Sequence, residues 1–522
     1  MQLNKLPFSD THSFSDFFLD YIQQKDTLKS FYNHFPKVEN FKSQLAEKST
    51  SFAPTHRKTL VDTLLKQYKG LEVSEAVKKN ISLLSSAKTF TVTTGHQLNI
   101  FTGPLYFIYK IITVINACKE LKKSYPAYEF VPVYWMASED HDYEEIKYFK
   151  LYGQKYTWQT DQKGAVGRFN PKTIENLLKE IPGDTKVFKD AYLKNNSLSG
   201  AVRHYVNALF SNEGLIVLDA DERDLKMNFR SVIKDDLFDH SSKQYVDNST
   251  IQLEELGYHP QVHAREINFF YLEDGLRSRI EKKGEEFIVV DTSLRFTKDQ
   301  ILEMIYVEPE KFSPNVILRP LYQEIILPNL AYVGGPAEII YWLQFKSMFD
   351  HFKVPFPLLM PRNFALVMDS PSLRKFEKTK LGLVHLFKEK NSLFNDWIHQ
   401  NTTHDLSLAS SKIILTKTFS ELKTKVVGID STLEKLVNAE SKKAENSLEK
   451  IERKLLKAEK RLHSDKLRQI ETLKDSLFPA GSPQERTDNF LNFYQQDPQF
   501  IQKLIDSFDP FDFRFNVLSY ND

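Results

Sequence analysis

The sequence predicts an α/β fold with a parallel sheet, joined to a long helical coiled coil. Two buried strands are predicted at residues 89–94 and 130–136, and each ends in a cluster of polar side chains. An apolar, helix-like stretch at residues 105–121 separates them, which is the strand–helix–strand pattern of a parallel sheet. Open α/β sheets bind their ligands at the carboxyl ends of the strands, so a functional site is expected there.

The composition limits the classes of protein to which this chain can belong. The 522 residues predict two to four modules, and 41% hydrophobic with 27% charged residues is ordinary for a globular protein. A formal charge of +1 argues against a protein that binds nucleic acid by neutralising many phosphates. No long apolar run or leader-like segment is seen, and the single cysteine, Cys118, is expected to be a buried core residue in a reducing compartment. We therefore expect a cytoplasmic protein without a membrane or nucleic-acid partner.

The core is predicted to be interrupted twice. Residues 1–145 are predicted to form amphipathic helices and then the first core strands, and an apolar run before Asp219 and Asp221 predicts a further core strand. A hairpin is predicted where residues 268–272 precede Gly275. The segments predicted after residue 145 are a first insertion at 146–210, a core strand at 211–225, a second insertion at 226–312, a second part of the core at 313–371, a helical coiled-coil domain at 372–477, and a C-terminal segment at 478–522 that packs back on the core.

The coiled coil is predicted from the apolar spacing of residues 419–462. Neither glycine nor proline occurs between Gly428 and Pro479, so one helix filling that interval would be about 75 Å long. Such a rod must bury its seam against residues 372–398, the region 413–415 or a second subunit. The predicted seam positions are Phe419, Leu422, Val426, Ile429, Leu433, Leu436, Leu448, Ile451, Leu455, Ala458 and Leu462.

The first polar cluster lies between the first predicted strand and the helix that follows it. Backbone amides at such a helix start can bind an anion, and Gly95 and Gly103 allow a ligand to approach closely. His96 is a candidate donor to a phosphate or carboxylate, while Gln97 and Asn99 are candidates for reading a polar substrate. No Gly-Lys-Ser/Thr follows, so the loop is not a P-loop. The alternative is an ordinary strand-to-helix turn in which His96 is hydrogen-bonded internally.

The second polar cluster, Glu139-Asp140-His141-Asp142, follows the second predicted strand. If that strand continues, Asp140 shares a face with Asp142, and Glu139 shares one with His141. Such a cluster can coordinate Mg²⁺ or hold a proton acceptor for an amine nucleophile, whereas no thiolate cluster supports zinc. The alternative is a helix N-cap whose acidic residues favour the helix dipole.

A third candidate wall lies in residues 319–338. Gly334-Gly335-Pro336 precedes a predicted helix and suggests a second anion-binding turn, with an ordinary tight turn as the alternative. Arg362 is a candidate partner for a ligand carboxylate or phosphate, or for a surface salt bridge. The other polar candidates of this wall are Arg319, Gln323, Tyr332 and Glu338.

Five groups of motifs follow one another along the chain. They are Thr94-Gly95-His96-Gln97 with Thr102-Gly103-Pro104; Glu139-Asp140-His141-Asp142 with Glu144-Glu145-Ile146; Arg319-Pro320-Leu321-Tyr322-Gln323-Glu324 with Ala331-Tyr332-Val333-Gly334-Gly335-Pro336-Ala337-Glu338; Pro361-Arg362-Asn363; and Phe478-Pro479 with Gln484-Glu485-Arg486. As a set they are specific, although no single motif would suffice. In this order they resemble the family of cysteine ligases of bacillithiol biosynthesis.

The resemblance implies a Rossmann-like nucleotidyltransferase core with two connecting insertions and a coiled-coil domain, in a protein that is usually a homodimer. The implied reaction joins the carboxyl group of L-cysteine to the amino group of glucosaminyl-malate. A free carboxylate must be activated before it forms an amide, and by analogy with class I aminoacyl-tRNA synthetases ATP would form a cysteinyl-adenylate. The loop at residues 95–97 would take the place of the synthetase His-Ile-Gly-His signature. That signature is not literally present, and neither a Lys-Met-Ser-Lys-Ser counterpart nor a Cys/His zinc cluster occurs.

Candidate roles follow from the clusters and the resemblance together. ATP is the expected cosubstrate and Mg²⁺ a candidate ion, while no residue is assigned as a metal ligand. The catalytic candidates are His96, Gln97, Glu139, Asp140, His141 and Asp142. The candidates for binding substrate or nucleotide are Thr94, Gly95, Asn99, Thr102, Gly103, Arg319, Gln323, Tyr332, Gly334, Gly335, Glu338 and Arg362.

Two other functions stay open on the residues alone. One is a metal-assisted hydrolase or phosphotransferase built on the cluster at residues 139–142. The other is a non-catalytic assembly protein in which the coiled coil is the working part.

Overall fold

The computed structural model describes residues 1–520, so the last two residues of the predicted segment 478–522 lie outside the described residues. Its strands are β1 (Gln2–Leu6), β2 (Thr89–His96), β3 (Glu129–Met136), β4 (Tyr148–Leu151), β5 (Gln154–Thr157), β6 (Ile216–Asp219), β7 (Phe269–Glu273), β8 (Leu276–Lys283), β9 (Glu286–Val289), β10 (Arg295–Phe296), β11 (Phe312–Pro314), β12 (Asn329–Gly334), β13 (Leu358–Pro361), β14 (Phe364–Met368) and β15 (Phe515–Ser519).

The α-helices are α1 (Asp16–Ile22), α2 (Phe41–Ser51), α3 (Pro54–Gln67), α4 (Glu75–Leu83), α5 (Tyr106–Ser124), α6 (Tyr143–Ile146), α7 (Glu175–Leu178), α8 (Lys186–Lys194), α9 (Leu198–Phe210), α10 (Arg223–Met227), α11 (Arg230–Phe238), α12 (Ser241–Glu255), α13 (Lys298–Val307), α14 (Arg319–Ile326), α15 (Pro336–Leu343), α16 (Lys346–His351), α17 (Ser370–Glu377), α18 (Lys390–Asn401), α19 (Ala409–Val427), α20 (Glu434–Leu462), α21 (Ser464–Leu477), α22 (Leu491–Tyr494) and α23 (Phe500–Ser507). No helix of residues 1–520 combines the length and the apolar character needed to cross a membrane.

The central element is a five-stranded parallel sheet in the order β13-β12-β2-β3-β6, which confirms the predicted α/β core. The chain runs from β2 to β3 and β6 on one side, then returns to β12 and β13 on the other. The order therefore reverses between β2 and β12, and loops that leave their carboxyl ends separate there to open a crevice. Hydroxyls of Thr91 and Thr93 on β2 donate to Asn329 Oδ1 at 3.1 and 2.8 Å, which holds the two strands together beneath that crevice.

Two groups of elements interrupt this sheet in sequence. Residues 146–210 contain the β4–β5 hairpin and helices α7–α9. Residues 226–312 contain all but the last two residues of an antiparallel sheet in the order β10-β9-β8-β7-β11, whose strand β11 ends at Pro314. The predicted hairpin at Gly275 is confirmed, since β7 and β8 pair across it. That hairpin matters for the site because β8 directs Arg277 towards the end of β3.

A third sheet was not expected from the sequence. β1 pairs antiparallel with β15, and β14 pairs parallel with β15, so the two ends of the chain meet. The sequence analysis did not predict the strand at Gln2–Leu6, because its partner lies more than 500 residues away and leaves no local signal. Phe508 and Phe515 are buried, which confirms that the aromatic C-terminal segment packs back on the core.

The coiled-coil domain is present, but it is a helical hairpin and not one continuous rod. α19 turns at Gly428 into α20, and the ion pairs Lys412–Glu452 and Lys423–Glu434 show that the two helices run antiparallel. α20 has 29 residues, about 43 Å at 1.5 Å per residue, and a break at His463 separates it from α21. The predicted 75 Å helix is therefore wrong.

The partner of the predicted seam is intramolecular over part of its length. Region 372–398 packs against α20 and α21 through α17 and α18, and α19 packs along α20, but Ile413 and Ile414 of α19 stay exposed. Phe419 and Leu448 are half-buried in this arrangement. Seven seam positions nevertheless stay substantially exposed in the single chain: Leu422, Ile429, Leu433, Leu436, Ile451, Leu455 and Leu462.

Candidate active site

A cavity of about 440 Å³ lies at the carboxyl ends of β2, β3 and β12, where the strand order reverses. We call it the first cavity. Ligand sites in α/β proteins are expected at this position, and the volume lies in the range of small-molecule sites. Its walls are formed by Gly95, His96, Gln97, Trp135, Ala137, Asp140, Asp142, Glu145, Val316, Arg319, Pro320, Gln323, Tyr332, Glu338, Tyr341 and Trp342.

Asp140 is the electrostatic centre of one wall. Its carboxylate accepts from Gln97 Nε2 at 2.9 Å and lies 3.4 Å from Arg319 and 3.5 Å from Arg277. Burial by itself would raise the pKa of Asp140, but the charges of Arg319 and Arg277 and the bond from Gln97 hold that pKa below its ordinary value. The carboxylate is therefore permanently ionised and fixes three side chains that come from β8, α14 and the loop after β2.

Arg277 is a site residue that the sequence did not reveal. Its side chain is 2% exposed, stacks on the Phe270 ring at 3.9 Å and donates to His141 Nδ1 at 2.5 Å. Burial lowers its pKa to about 10, and Asp140 opposes that shift. A lone arginine in a hairpin strand carries no motif, so only the fold places it beside Asp140.

His96 closes the carboxyl end of β2 and separates the first cavity from a second one. Its Nε2 atom is buried and has no hydrogen-bond partner among the described residues. Burial, together with the charges of Lys110 and Arg362, lowers the pKa of His96 well below its ordinary value. The ring is therefore neutral at physiological pH, and a buried nitrogen without a partner is a strong indication of a ligand contact.

Lys110 is a second residue that sequence reasoning missed. It is 3% exposed within α5, donates to the Gly95 carbonyl at 2.9 Å and lies 2.5 Å from Glu338 Oε2. Burial lowers its pKa, and Glu338 raises it in return. The available signal was a single charged residue at the centre of an otherwise apolar helical stretch.

The proposed anion-binding turn at Gly334-Gly335-Pro336 is already occupied. Glu338 Oε2 accepts from the Gly335 amide at 2.7 Å, and Tyr332 donates to Glu338 Oε1 at 2.7 Å. The carboxylate of the chain itself thus caps α15 and excludes a second anion there, so the tight-turn alternative is correct.

The end of the first loop is also a structural turn. Gly103 has φ of +62°, and a Cβ there would lie 2.5 Å from the Cβ of Asn99. Asn489 Nδ2 donates to the Gly103 carbonyl at 2.6 Å, and the Leu105 amide donates to the Asp488 carbonyl at 2.7 Å. The C-terminal segment therefore holds this turn in place, and the anion site expected there stays a prediction. Thr102 is buried in the same turn.

The four residues of the second cluster, 139–142, lie in different surroundings, which corrects the geometry predicted for them. β3 ends at Met136, so residues 139–142 follow a turn and do not alternate as in a strand. Glu139 is buried against Lys226, whereas Asp140 and Asp142 face the first cavity. His141 is held by Arg277 and does not line the cavity. The pairing of Glu139 with His141 on one face is therefore wrong.

Arg362 belongs to the interior and not to the surface. Its guanidinium donates to both carboxylate oxygens of Glu485 at 2.6 and 3.0 Å, and both side chains are 2% exposed. This buried bidentate pair connects β13 to the C-terminal segment, so the surface salt bridge considered from the sequence is wrong. Its guanidinium also lies over the Phe364 ring at 4.1 Å.

A second cavity of about 360 Å³ lies on the other side of His96. Three side chains, His96, Gln97 and Glu145, contribute to both cavities. Burial and the charges of Asp142 and Asp140 raise the pKa of Glu145. The remaining walls of the second cavity are Asn99, Pro104, Tyr106, Tyr148, Phe149, Lys150, Arg486 and Thr487.

Cys118 is a core residue as expected. It is buried, and burial raises the pKa of its thiol, so it is not a nucleophile at physiological pH.

Within residues 1–520, no group of three or more His, Cys, Asp and Glu side chains is arranged to hold a metal ion.

Comparison with known families agrees with this architecture. The family model "Bacillithiol biosynthesis BshC, N-terminal Rossmann-like domain" matches residues 1–363, and "Bacillithiol biosynthesis BshC, C-terminal coiled-coil domain" matches residues 365–520. The chain belongs to the BshC family. A protein named "Putative cysteine ligase BshC" from Flavobacterium johnsoniae is 43% identical and covers 99% of this chain and 100% of its own. Relatives of the same name from Flavobacterium psychrophilum and Christiangramia forsetii are 42% and 39% identical over 100% of this chain, and the matches cover 100% and 99% of their own chains.

The candidate site residues named from the sequence divide into two groups in the structure. Those that line the first cavity are Gly95, His96, Gln97, Asp140, Asp142, Arg319, Gln323, Tyr332 and Glu338, and Asn99 lines the second. Those that line neither cavity are Thr94, Thr102, Gly103, Glu139, His141, Gly334, Gly335 and Arg362. Thr94 illustrates the second group, because its hydroxyl donates to the Val333 carbonyl at 2.7 Å and joins β2 to β12.

Proposed function

We propose that this protein is a ligase that joins the carboxyl group of L-cysteine to the amino group of glucosaminyl-malate. The observation that carries the proposal is the neutral His96, whose buried and unpartnered Nε2 lies between two cavities. Two substrates must meet for amide formation, and the shared wall is the natural meeting place. Membership of the BshC family supports this substrate pair.

Glu145 is the proposed acceptor of the amine proton. It contributes to both cavities, and its raised pKa makes it a better base than Asp140, which three partners hold ionised. In the proposed reaction the amine nitrogen attacks the carbonyl carbon of the ATP-activated cysteine, its proton passes to Glu145, and the bond from that carbon to the phosphate-bearing oxygen breaks to release the leaving group.

His96 is the proposed stabiliser of the carbonyl oxygen. A neutral imidazole donates a hydrogen bond without a competing charge, and the buried position makes that bond strong as negative charge develops. Gln97, which follows His96 in the chain, donates through Nε2 to Asp140 and is held in place by that bond. Its Oε1 atom is left without a partner.

ATP is the proposed cosubstrate, with Mg²⁺ bound to its phosphates. The first cavity has an aromatic wall formed by Tyr341 and Trp342 and a cation at Arg319, a donor set that suits a base and a phosphate. Asp142 contributes a carboxylate of the kind that Mg²⁺ accepts beside phosphate oxygens. ATP would supply the leaving group that a free carboxylate lacks.

The divided second cluster favours this proposal over a metal-assisted hydrolase. Glu139 is paired with Lys226, and Asp140 with Arg277 and Arg319, so two carboxylates of that cluster already have cationic partners.

We place the reaction in the cytoplasm, because a free thiol product needs a reducing compartment.

The direct test is to incubate the purified protein with cysteine, glucosaminyl-malate and ATP and to follow the product by mass spectrometry. We expect a product heavier than glucosaminyl-malate by one cysteinyl residue, formed only when all three compounds are present. Absence of that mass, with normal thiol levels in cells that lack the protein, would contradict the proposal.

A homodimer formed through the coiled-coil domain is also proposed. The hairpin of α19 and α20 leaves Ile413 70%, Ile429 80% and Leu462 72% exposed, and such a stripe is normally covered by another helix. We expect Ile413→Glu with Ile429→Glu to convert a dimer into a monomer in sedimentation velocity, with an unchanged circular dichroism spectrum. The control is Lys417→Glu with Lys425→Glu on the same helix. A wild-type monomer, or a double variant that remains dimeric, would contradict this interface.

A further inference from the structure

The second cavity carries an acidic group at one end and cationic groups elsewhere, and the proposed function does not use this separation of charge. Its end shared with the first cavity carries the carboxyl group of Glu145, whereas Lys150 and Arg486 line the second cavity and not the first; Arg486 also borders a further cavity beside the C-terminal segment. Lys150 comes from β4, and Arg486 follows the buried Gln484-Glu485 pair in the C-terminal segment. The cavity therefore has an acidic end near His96 and a cationic remainder.

Lys150 and Arg486 differ from the other cationic side chains named below, which all have a carboxylate partner. Arg277 and Arg319 lie against Asp140, and Arg362 is bound to Glu485. Neither Lys150 nor Arg486 forms an ion pair within residues 1–520; burial raises the pKa of the nearby Asp488 to about 6, and the charge of Lys150 only opposes that shift. Two unpaired cations on one cavity of about 360 Å³ indicate an anionic ligand.

The local fold explains why Arg486 points into the cavity. Gln484 Oε1 accepts from the Val367 amide at 3.0 Å, and Glu485 pairs with Arg362, so both preceding side chains are turned into the core. The sequence analysis noted Gln484-Glu485-Arg486 as one motif. The structure separates it into two residues that anchor the segment and one exposed cation.

Neutral groups complete the cavity. Burial raises the pKa of Tyr106 to about 12, so its hydroxyl stays protonated as a donor. The buried Nε2 of His96 is the unpartnered atom that faces the boundary. A ligand can thus receive bonds from two cations at one end and contact His96 and Glu145 at the other.

We propose that the second cavity binds a doubly negative group of a substrate through Lys150 and Arg486. In the reaction proposed above, on which this inference rests, that group is the malyl dicarboxylate of the amino sugar. In this molecule the malyl group is joined to C1 of the sugar and the amine to the neighbouring C2, so the two groups are close enough to occupy one cavity of about 360 Å³. A malyl group held by Lys150 and Arg486 therefore leaves the amine in the same cavity, whose wall shared with the first cavity includes Glu145.

The test measures binding of glucosaminyl-malate, glucosamine and ATP separately by calorimetry, so it does not require turnover. For Lys150→Gln and Arg486→Gln we expect the affinity for glucosaminyl-malate to fall about tenfold or more each. Affinity for ATP and for glucosamine, which lacks the dicarboxylate, should stay within twofold. The matched control, Lys79→Gln with Arg265→Gln, removes two exposed charges elsewhere and should change none of the three.

Each outcome decides the assignment. Wild-type affinity for glucosaminyl-malate in the double variant would overturn it, and a selective loss of ATP affinity would assign the cations to phosphate instead. If wild-type protein binds glucosaminyl-malate through these cations but forms no amide with cysteine, the subsite stands and the proposed ligation fails. If the wild type ligates cysteine and the double variant keeps its KM for the amino sugar, only the subsite fails.

Discussion

His96→Asn is expected to lower kcat for amide formation about 100- to 1000-fold, with little change in the KM for cysteine. The substitution removes the Nε2 position, the buried atom without a partner at the boundary of the two cavities. Loss of one preorganised donor to a developing oxyanion costs about this much in comparable sites. Steady-state kinetics with mass-spectrometric detection of the product measures the effect.

The matched variant for this prediction is His96→Gln, whose amide reaches about as far as Nε2. Because the pKa of His96 lies well below its ordinary value, the ring acts as a neutral hydrogen-bonding group, and Gln should retain activity within about tenfold of wild type. A His96→Asn variant with more than half of wild-type kcat would exclude the proposed role. Equal losses in both variants would instead indicate proton transfer by the imidazole.

The second large effect is expected on stability. Arg362→Met and Glu485→Gln should each lower the free energy of unfolding by about 3–5 kcal/mol, because each leaves the other charge buried and unpaired. The double variant should lose clearly less than the sum of the two single losses. Urea unfolding followed by tryptophan fluorescence measures all three.

An exposed pair provides the control for this cycle. Asp350→Asn, which breaks the Lys346–Asp350 pair on α16, should cost less than about 1 kcal/mol because Asp350 is 62% exposed. If Arg362→Met cost no more than this control, the pair would not connect β13 to the C-terminal segment as described.

The core and the position of the site were predictable because their signals are local. β3, β6 and β12 are mostly apolar strands and β2 alternates β-branched with apolar residues; polar residues follow each, and the topology of parallel sheets places those ends together. His96, Asp140 and Arg319 were named on this basis and line one cavity.

The partners of those residues were not predictable, because they come from distant parts of the chain. Arg277 contacts Asp140 across 137 residues, and Lys226 pairs with Glu139 from the start of the second insertion. Whether Glu139 faces the cavity depends on β3 ending at Met136, which a periodicity argument does not determine within two residues. The same uncertainty led to the wrong face assignment for His141.

The predicted length of the coiled-coil helix was wrong for a different reason. No glycine or proline marks the break at His463, and the three- and four-residue apolar spacing continues from α19 through the turn at residues 428–433 into α20. Asp430 accepts from the Thr432 amide at 2.8 Å and stabilises that turn, which is a capping signal that the periodicity concealed.

The most direct test of the central claim uses cysteine labelled with ¹⁸O at both carboxylate oxygens, in a reaction with glucosaminyl-malate and ATP. Activation joins one carboxylate oxygen to phosphorus, and attack by the amine then breaks the carbon–oxygen bond. High-resolution mass spectrometry should find one ¹⁸O in the new amide and the other in the phosphorus-containing product released from ATP. An amide whose formation transfers no label to phosphorus, or the absence of any cysteinyl product, would contradict the account.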